Sequence, residues 1–373
     1  MAPNSDDVGK DVAALKISDE PEKPRADSAA AASTAPEKGD PNISANHMGG
    51  DMWVVKPVPG AGYGAVALRK IARGERIMAD KPLFVVPTTV NDVKTMSQII
   101  ALGLKKASKD QAREFLTLDN AHKANGPLVG TASTNVHPMG GGGATEAGLF
   151  LAACRINHAC VPNAQNKWRK DLGRMTVHAA RDIAAGEEIT LTYLPALFPW
   201  AERQTILKKH FGFLCACATC SLPAGEKRDA SDKRRKDINE LDEKLGDGKR
   251  IVKHAEAMLH DAWRKLRLLQ EEGITDAWVS RAYHDAFQIA IANGDQARAK
   301  VFAERDYEAT VACEGKDSPE AAQTMDWVKY PKGHPLYSGK LQWKQGVDKI
   351  PKDLSAEEFE KWLFKLPPEG LAK

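Results

Sequence analysis

From Trp53 onward, apolar and polar residues alternate in short bursts. Trp53-Val54-Val55-Lys56-Pro57-Val58, Ala65-Val66-Ala67-Leu68 and Arg76 to Val86 predict strands, separated by glycine-containing turns. The period then changes. Met96, Ile99, Ile100 and Leu104 recur at helical spacing, and Gln111-Ala112-Arg113-Glu114-Phe115-Leu116 continues the pattern, so residues 91–120 predict helix. The glycine run at 140–143 predicts a loop, and Met175–Ala179 and Glu188–Tyr193 return to strand. Together these predict an α+β domain of short antiparallel strands over 51–195, with a helical insertion at about 90–145.

Beyond a cysteine cluster the texture is helical. Residues 222–253 are strongly charged and predict a linker or solvent-exposed helix. Within them Lys233-Arg234-Arg235-Lys236 resembles a nuclear-localisation patch, against the plainer reading of a solvated face. Val279, Ala282, Ala286 and Ile289 line one helical face, and Ala299, Phe302, Ala309 and Cys313 line the next. Asn293-Gly294-Asp295 turns between them, Gly315 stops the second helix and Ser318-Pro319-Glu320 starts a third. Residues 254–330 therefore predict a helical hairpin region of the tetratricopeptide-like kind, and 331–373 an irregular tail with a short helix. Cys313, on an apolar stripe, is expected in the core.

Composition narrows the class. Residues 1–50 contain no Phe, Trp or Tyr and cannot bury enough apolar surface to order, so a disordered tail is expected there. A formal net charge of +3 gives no reason to expect nucleic acid as a direct partner. No apolar run is long enough to span a bilayer, and no basic-then-apolar signal opens the chain. Nucleus and/or cytoplasm is the expected location, where thiols stay reduced and cysteines are read first as ligands or core residues.

Cys215, Cys217 and Cys220 supply three thiolates within six residues. A tetrahedral zinc site needs a fourth ligand from elsewhere. Cys160 is the leading candidate, because it sits in the polar cluster Asn157-His158-Ala159-Cys160-Val161-Pro162-Asn163; Cys154, in an apolar run, is the runner-up. The competing reading is a group of thiols without metal. Four thiolates leave no open coordination position, so such a site is structural.

At these residues a family resemblance becomes specific. Arg155-Ile156-Asn157-His158-Ala159-Cys160-Val161-Pro162-Asn163 resembles the first signature of SET-domain lysine methyltransferases, and Arg181-Asp182-Ile183-Ala184-Ala185-Gly186-Glu187-Glu188-Ile189, closed by Tyr193, resembles the second. Gly62-Tyr63-Gly64-Ala65-Val66-Ala67 resembles the family's opening motif, and the Cys-x-Cys-x-x-Cys run its post-SET segment over 196–221. The order and spacing are most similar to the SET-and-MYND subgroup. No cysteine occurs between 68 and 153, so the MYND finger is expected to be missing.

The resemblance implies a SET-type fold, a zinc-bound post-SET segment, and methyl transfer from S-adenosylmethionine to a lysine of a protein substrate. By the same resemblance Gly62, Tyr63, Gly64 and Ala65 cradle the cofactor, although a simple hairpin turn would also place glycines there. Asn157 and His158 hydrogen-bond the cofactor, with Asn135 as a further polar contact, and Phe213 stacks on its adenine. Tyr193 is the expected catalytic tyrosine, against the alternative of a strand-end core residue. Phe211 stands where relatives often carry tyrosine, which removes one hydroxyl from the lysine channel. The rival class is a silent SET-fold adaptor that binds a partner protein through the C-terminal helices. A zinc-dependent nucleic-acid binder fits less well, given one plausible zinc site and near-neutral charge.

Overall fold

The computed structural model describes residues 50–141, 143–339 and 343–367, so the tail expected over 1–50 lies outside the described residues except for Gly50. Trp53–Val58 (β1) and Gly62–Ala67 (β2) pair antiparallel, with Trp53 opposite Ala67 and Val58 opposite Gly62. Arg76–Asp80 (β3) and Phe84–Pro87 (β4) follow and diverge into different sheets. The insertion contains Val93–Lys106 (α1), Lys109–Leu116 (α2) and Gly126–Asn135 (α3). Asp92 caps α1 by accepting the Thr95 N–H, and Ser108 with Gln111 forms a capping box on α2.

His137–Pro138 (β5) and Glu146–Leu149 (β6) complete a sheet of order β4-β6-β5, whose inner face packs Phe84 and Leu149 against Ile100, Phe115 and Val129 of the insertion. Asn157–His158 (β7), Ala164–Arg169 (β8), Arg174–Ala179 (β9) and Thr190–Leu191 (β10) come next. A third sheet runs β3-β9-β8 and shares a core of Ile77, Met175, Val177 and Ala179 with Trp53 and Ala65. One strand pair departs from the antiparallel expectation. Strands β7 and β10 are parallel, with Asn157 beside Thr190 and Leu191 beside His158. Alternation of apolar residues cannot report strand direction, and the strand expected over Glu188–Tyr193 shortens to two residues.

Trp200–Phe211 (α4) leads into the cysteine segment. The helices Glu226–Gly246 (α5), Arg250–Lys253 (α6), Ala255–Glu272 (α7), Ala277–Ala292 (α8), Gln296–Glu314 (α9), Pro319–Lys329 (α10) and Ala356–Leu363 (α11) follow. The expected turn lies between α8 and α9, where Asp295 caps the second helix, and Ser318 caps α10. Ala286, Ile289, Ala299 and Phe302 meet in one core with Met258 and Leu259 of α7. Leu363 and Phe364 join it, the Phe364 ring 5.0 Å from Phe302, so this part of the expected irregular tail is packed.

The exposed linker or helix expected over 222–253 is corrected: α5 packs on α7 and buries Ser231, Arg235, Ile238, Leu241, Asp242 and Leu245. Its charges hid an inward stripe because several of them are the inward-facing residues. Lys265 of α7 is fully buried and pairs with Asp242, and Arg235 pairs with Glu272 at 2.6 Å. The localisation patch changes with it, since Arg235 is buried and Arg234 is held by Glu272 at 2.9 Å.

The helices dock on the third sheet through polar contacts. Lys167 of β8 meets Glu314 at 3.0 Å, and Asp317 receives Arg76 and, at 3.5 Å, Arg169. His178 of β9 is buried at this junction and accepts from Arg76 Nε at 3.2 Å. Burial lowers the pKa of His178 to about 4, and that of His334, buried beside Phe287 and Trp327, to about 4 as well. The unfolded chain takes up a proton at each near ~6.5 while the folded chain refuses it. Stability is therefore present above pH ~6.5 and is lost as pH falls from there toward about 4, by roughly 1 kcal/mol per pH unit for each histidine. Denaturant melts at pH 7 and pH 5 are expected to show this fall, and His178→Gln with His334→Gln to reduce it, leaving the share of His137 and His158, whose pKa values burial also lowers to about 4.

Candidate active site

The two signature segments are brought together by β7 and β10. The Ala159 N–H donates to the Leu191 carbonyl at 2.9 Å and extends the two-residue ladder. Asn163, 2% exposed, fastens the same junction: its Oδ1 accepts the Thr190 N–H at 2.8 Å, and its Nδ2 donates to the Glu188 carbonyl at 2.8 Å and to Glu187 Oε1 at 3.0 Å. A buried side chain that satisfies three backbone or carboxylate partners leaves little freedom in the pairing.

Asn157 draws in the glycine turn. Its Nδ2 donates to the carbonyls of Ala61 and Tyr63, both at 3.2 Å, and to Glu188 Oε1 at 2.8 Å. Gly64 must be bare for this to occur, because a Cβ there would lie 2.5 Å from Glu188 Oε1 and 2.7 Å from Asn157 Nδ2. Gly62, at φ +72°, faces open space on its bare side. Gly64→Ala is expected to break the Asn157–Glu188 contact and cost about 1–3 kcal/mol, read as a lower denaturation midpoint.

His158 links the strand pair to two further groups. Its Nδ1 accepts the Tyr193 backbone N–H at 3.0 Å, which places the ring proton on Nε2, and Nε2 points at Cys160 Sγ at 3.4 Å. Burial holds the His158 pKa down to about 4, so the ring is neutral. Both ring nitrogens are thus engaged inside the protein. The Tyr193 hydroxyl donates to the Ile156 carbonyl at 2.7 Å and keeps its lone pairs for an incoming donor. Burial raises the Tyr193 pKa above its ordinary value, so this phenol stays protonated and is no base at neutral pH. Around it stand Phe211 at 4.9 Å, His158 at 5.3 Å and Phe213 at 6.4 Å, measured between ring centres.

The four thiols converge beneath that aromatic group. Cys160, Cys215, Cys217 and Cys220 place their sulfurs within 4.8 Å of one another, with Cys160 3.4 Å from Cys220 and 4.0 Å from Cys215. Tetrahedral zinc with bonds of about 2.3 Å needs sulfurs about 3.8 Å apart, so the set fits such an ion. Gln204 of α4 clasps the segment, donating to the Cys215 carbonyl at 2.9 Å and accepting its N–H at 2.8 Å. Trp200 Nε1 donates to the Cys220 carbonyl at 3.1 Å. Side-chain hydrogen bonds from Cys160, Cys215 and Cys220 lower the Cys217 pKa below its ordinary value. Cys154 stands apart: it donates to the Asn135 carbonyl at 3.2 Å, and burial pushes its pKa up to about 12.

Of the residues the sequence singled out, Gly64, Asn157, His158, Tyr193, Phe211, Phe213 and the four cysteines form one connected group. Asn135 is tied elsewhere, its Nδ2 donating to the carbonyls of Asp119 at 2.7 Å and Thr131 at 2.8 Å. Glu188, Asn163, Gln204 and Arg235 were missed. Glu188 and Asn163 lie inside the quoted signatures, which was a usable signal, whereas nothing local marks Gln204 or Arg235.

A family model for the SET domain matches residues 62–194. The histone-lysine N-methyltransferase set5 of Schizosaccharomyces pombe is 34% identical over 290 residues, covering 78% of this chain and 87% of that protein. The protein-lysine N-trimethyltransferase SMYD5 of Homo sapiens is 35% identical over 83 residues, 21% of this chain and 20% of its own length. The histone-lysine N-methyltransferase SET5 of Candida albicans is 32% identical over 111 residues, 29% of this chain and 23% of that protein. An alignment that takes in nearly all of the fission-yeast relative and extends well beyond the matched domain makes the chain a member of the SET-domain family of protein-lysine methyltransferases.

Proposed function

We propose that this enzyme uses S-adenosylmethionine as methyl donor and a lysine of a histone as acceptor. The name of the fission-yeast relative supports the histone as substrate class. One observation supports the site above the others: Asn157, His158 and Tyr193, from two signatures about thirty residues apart, are hydrogen-bonded into one unit that also holds the glycine turn. The donor supplies an electrophilic methyl group when bound. Gly62 leaves room for it beside Tyr63 and Ala65, Asn157 fixes the backbone of that turn, and Phe213 offers a ring for its adenine. At His158 a contact to the donor falls to the backbone, because both ring nitrogens are engaged.

Tyr193 orients the acceptor amine through its hydroxyl lone pairs, while Phe211 and Phe213 exclude water. The desolvated ring of aromatic groups favours the neutral amine over the ammonium. Phe211 contributes shape and no hydroxyl, so Tyr193 acts alone on that side. Zinc held by Cys160, Cys215, Cys217 and Cys220 orders the segment that carries Phe211 and Phe213 over Tyr193. The units are read as a SET domain over 51–195, a post-SET segment over 196–221 and tetratricopeptide-like helices over 254–330, the last offering a face for a protein partner. A nuclear site of action follows from a histone substrate.

The test is transfer of labelled methyl from S-adenosylmethionine to purified core histones by the full chain. Label on a histone lysine supports the reading. Donor binding with no transfer to histones or to any lysate protein would instead favour the adaptor.

A further inference from the structure

Arg155 opens the first signature, closes the single 3-10 turn Ala153–Arg155, and is 6% exposed. A buried guanidinium is costly unless hydrogen bonds and an opposite charge meet it. Here both come from the helical insertion. Arg155 Nη2 donates to Thr117 Oγ1 at 2.7 Å and stands 3.6 Å from Oε1 of the buried Glu114. The Thr117 hydroxyl donates its own proton to the Glu114 carbonyl at 2.7 Å, so its lone pairs are turned to the guanidinium. Both partners lie at the C-terminal end of α2, Thr117 being 38 residues upstream of Arg155.

The next residue carries the consequence. The Ile156 carbonyl accepts the Tyr193 hydroxyl at 2.7 Å. On its far side the chain is fixed by the strand pair that starts at Asn157, and on its near side by the Arg155 side chain. We propose that Arg155 is a positioning residue: tied to Thr117 and Glu114, it lets the helical insertion hold the Ile156 carbonyl, and through it the Tyr193 hydroxyl, in the direction the reaction uses. The inference rests on the reading of Tyr193 as the catalytic tyrosine.

A residue that acts through the hydroxyl matters only while the hydroxyl is present, whereas a packing role costs the same factor with or without it. Single-turnover transfer from saturating S-adenosylmethionine to core histones is measured with the full chain. Arg155→Met is expected to slow transfer about 10-fold and to leave donor affinity unchanged, since a small displacement of a positioned group is enough to lose rate. In a Tyr193→Phe background the same substitution is expected to slow transfer by less than about 2-fold further. Both guanidinium contacts use one nitrogen, Nη2, so a lysine ammonium can take them over, and Arg155→Lys is expected to recover most of the rate. An equal loss in the two backgrounds, or wild-type transfer by Arg155→Met, would overturn the inference. Should Arg155→Met fail to fold because the Glu114 carboxylate has lost its facing cation, Glu114→Gln combined with Arg155→Met removes both charges and decides by the same cycle. A wild-type chain that transfers no methyl would sink the catalytic reading of Tyr193 instead. Crystal structures of wild type and Arg155→Met then decide the positioning alone: the hydroxyl is expected beyond ~3.5 Å from the Ile156 carbonyl in the variant, and a retained 2.7 Å contact would overturn it.

Discussion

Cys217→Ser is expected to lose zinc and methyl transfer together, with transfer falling about 100-fold or more. The reason lies in the order of connections. Cys217 is one of four sulfurs gathered within 4.8 Å. Three thiolates leave a tetrahedral site open, and structural zinc contributes folding free energy outright, about 10–16 kcal/mol in small zinc-bound peptides. On the zinc reading, a segment without the ion is left to Gln204 and Trp200 alone, and Phe211 and Phe213 are expected to loosen over Tyr193. His158 Nε2 also loses a fixed acceptor at Cys160, 3.4 Å away, and with it the orientation that receives the Tyr193 N–H. Zinc content by atomic absorption and label transfer should fall in step. Cys154→Ser is the matched control, because that thiol only donates to the Asn135 carbonyl. If Cys217→Ser kept full transfer without zinc, the ion would have no part in shaping the site.

The second large effect belongs to Tyr193. Tyr193→Phe keeps the ring contacts with Phe211 and His158 and removes only the hydroxyl now donating to the Ile156 carbonyl at 2.7 Å. The lost hydrogen bond is expected to cost stability about 1 kcal/mol, a change small enough to leave the fold intact. Single-turnover transfer is expected to slow by about 10²–10³-fold, because a positioned group acting on the reacting amine is missing. Donor affinity, measured by calorimetry, is expected to stay unchanged, since the hydroxyl faces the acceptor. A variant that transferred methyl at the wild-type rate would remove Tyr193 from catalysis and return it to the core.

Much of the site was legible because the chemistry demands particular residues at particular spacings. The thiol cluster was read from Cys215, Cys217 and Cys220, and the choice of Cys160 over Cys154 followed from the polar run around it. The helical hairpin was legible for a similar reason, with a small-residue stripe, a turn and caps all consistent with one arrangement. Charge misled where it is buried. Residues 222–253 look solvated by composition, yet Arg235, Asp242 and Lys265 form ion pairs in the interior that no window of hydropathy can distinguish from surface charge. The parallel pairing of β7 with β10 was illegible too, because two residues carry no periodicity. The role of Gly64 was read as room for a ligand; the space is in fact taken by Asn157 and Glu188, side chains from segments about ninety and more residues away. Contacts that bridge such separations are set by topology, and topology was the part that composition and spacing could not supply.

The central claim is that this convergent group methylates lysine, and the product itself tests it. Histones labelled by the zinc-loaded full chain with methyl-labelled S-adenosylmethionine are hydrolysed to amino acids and separated. The account predicts the label in methylated lysine, and its disappearance when Tyr193→Phe replaces the wild type. Label recovered in methylated arginine, histidine or a carboxyl ester, or undiminished lysine label from Tyr193→Phe, would contradict it.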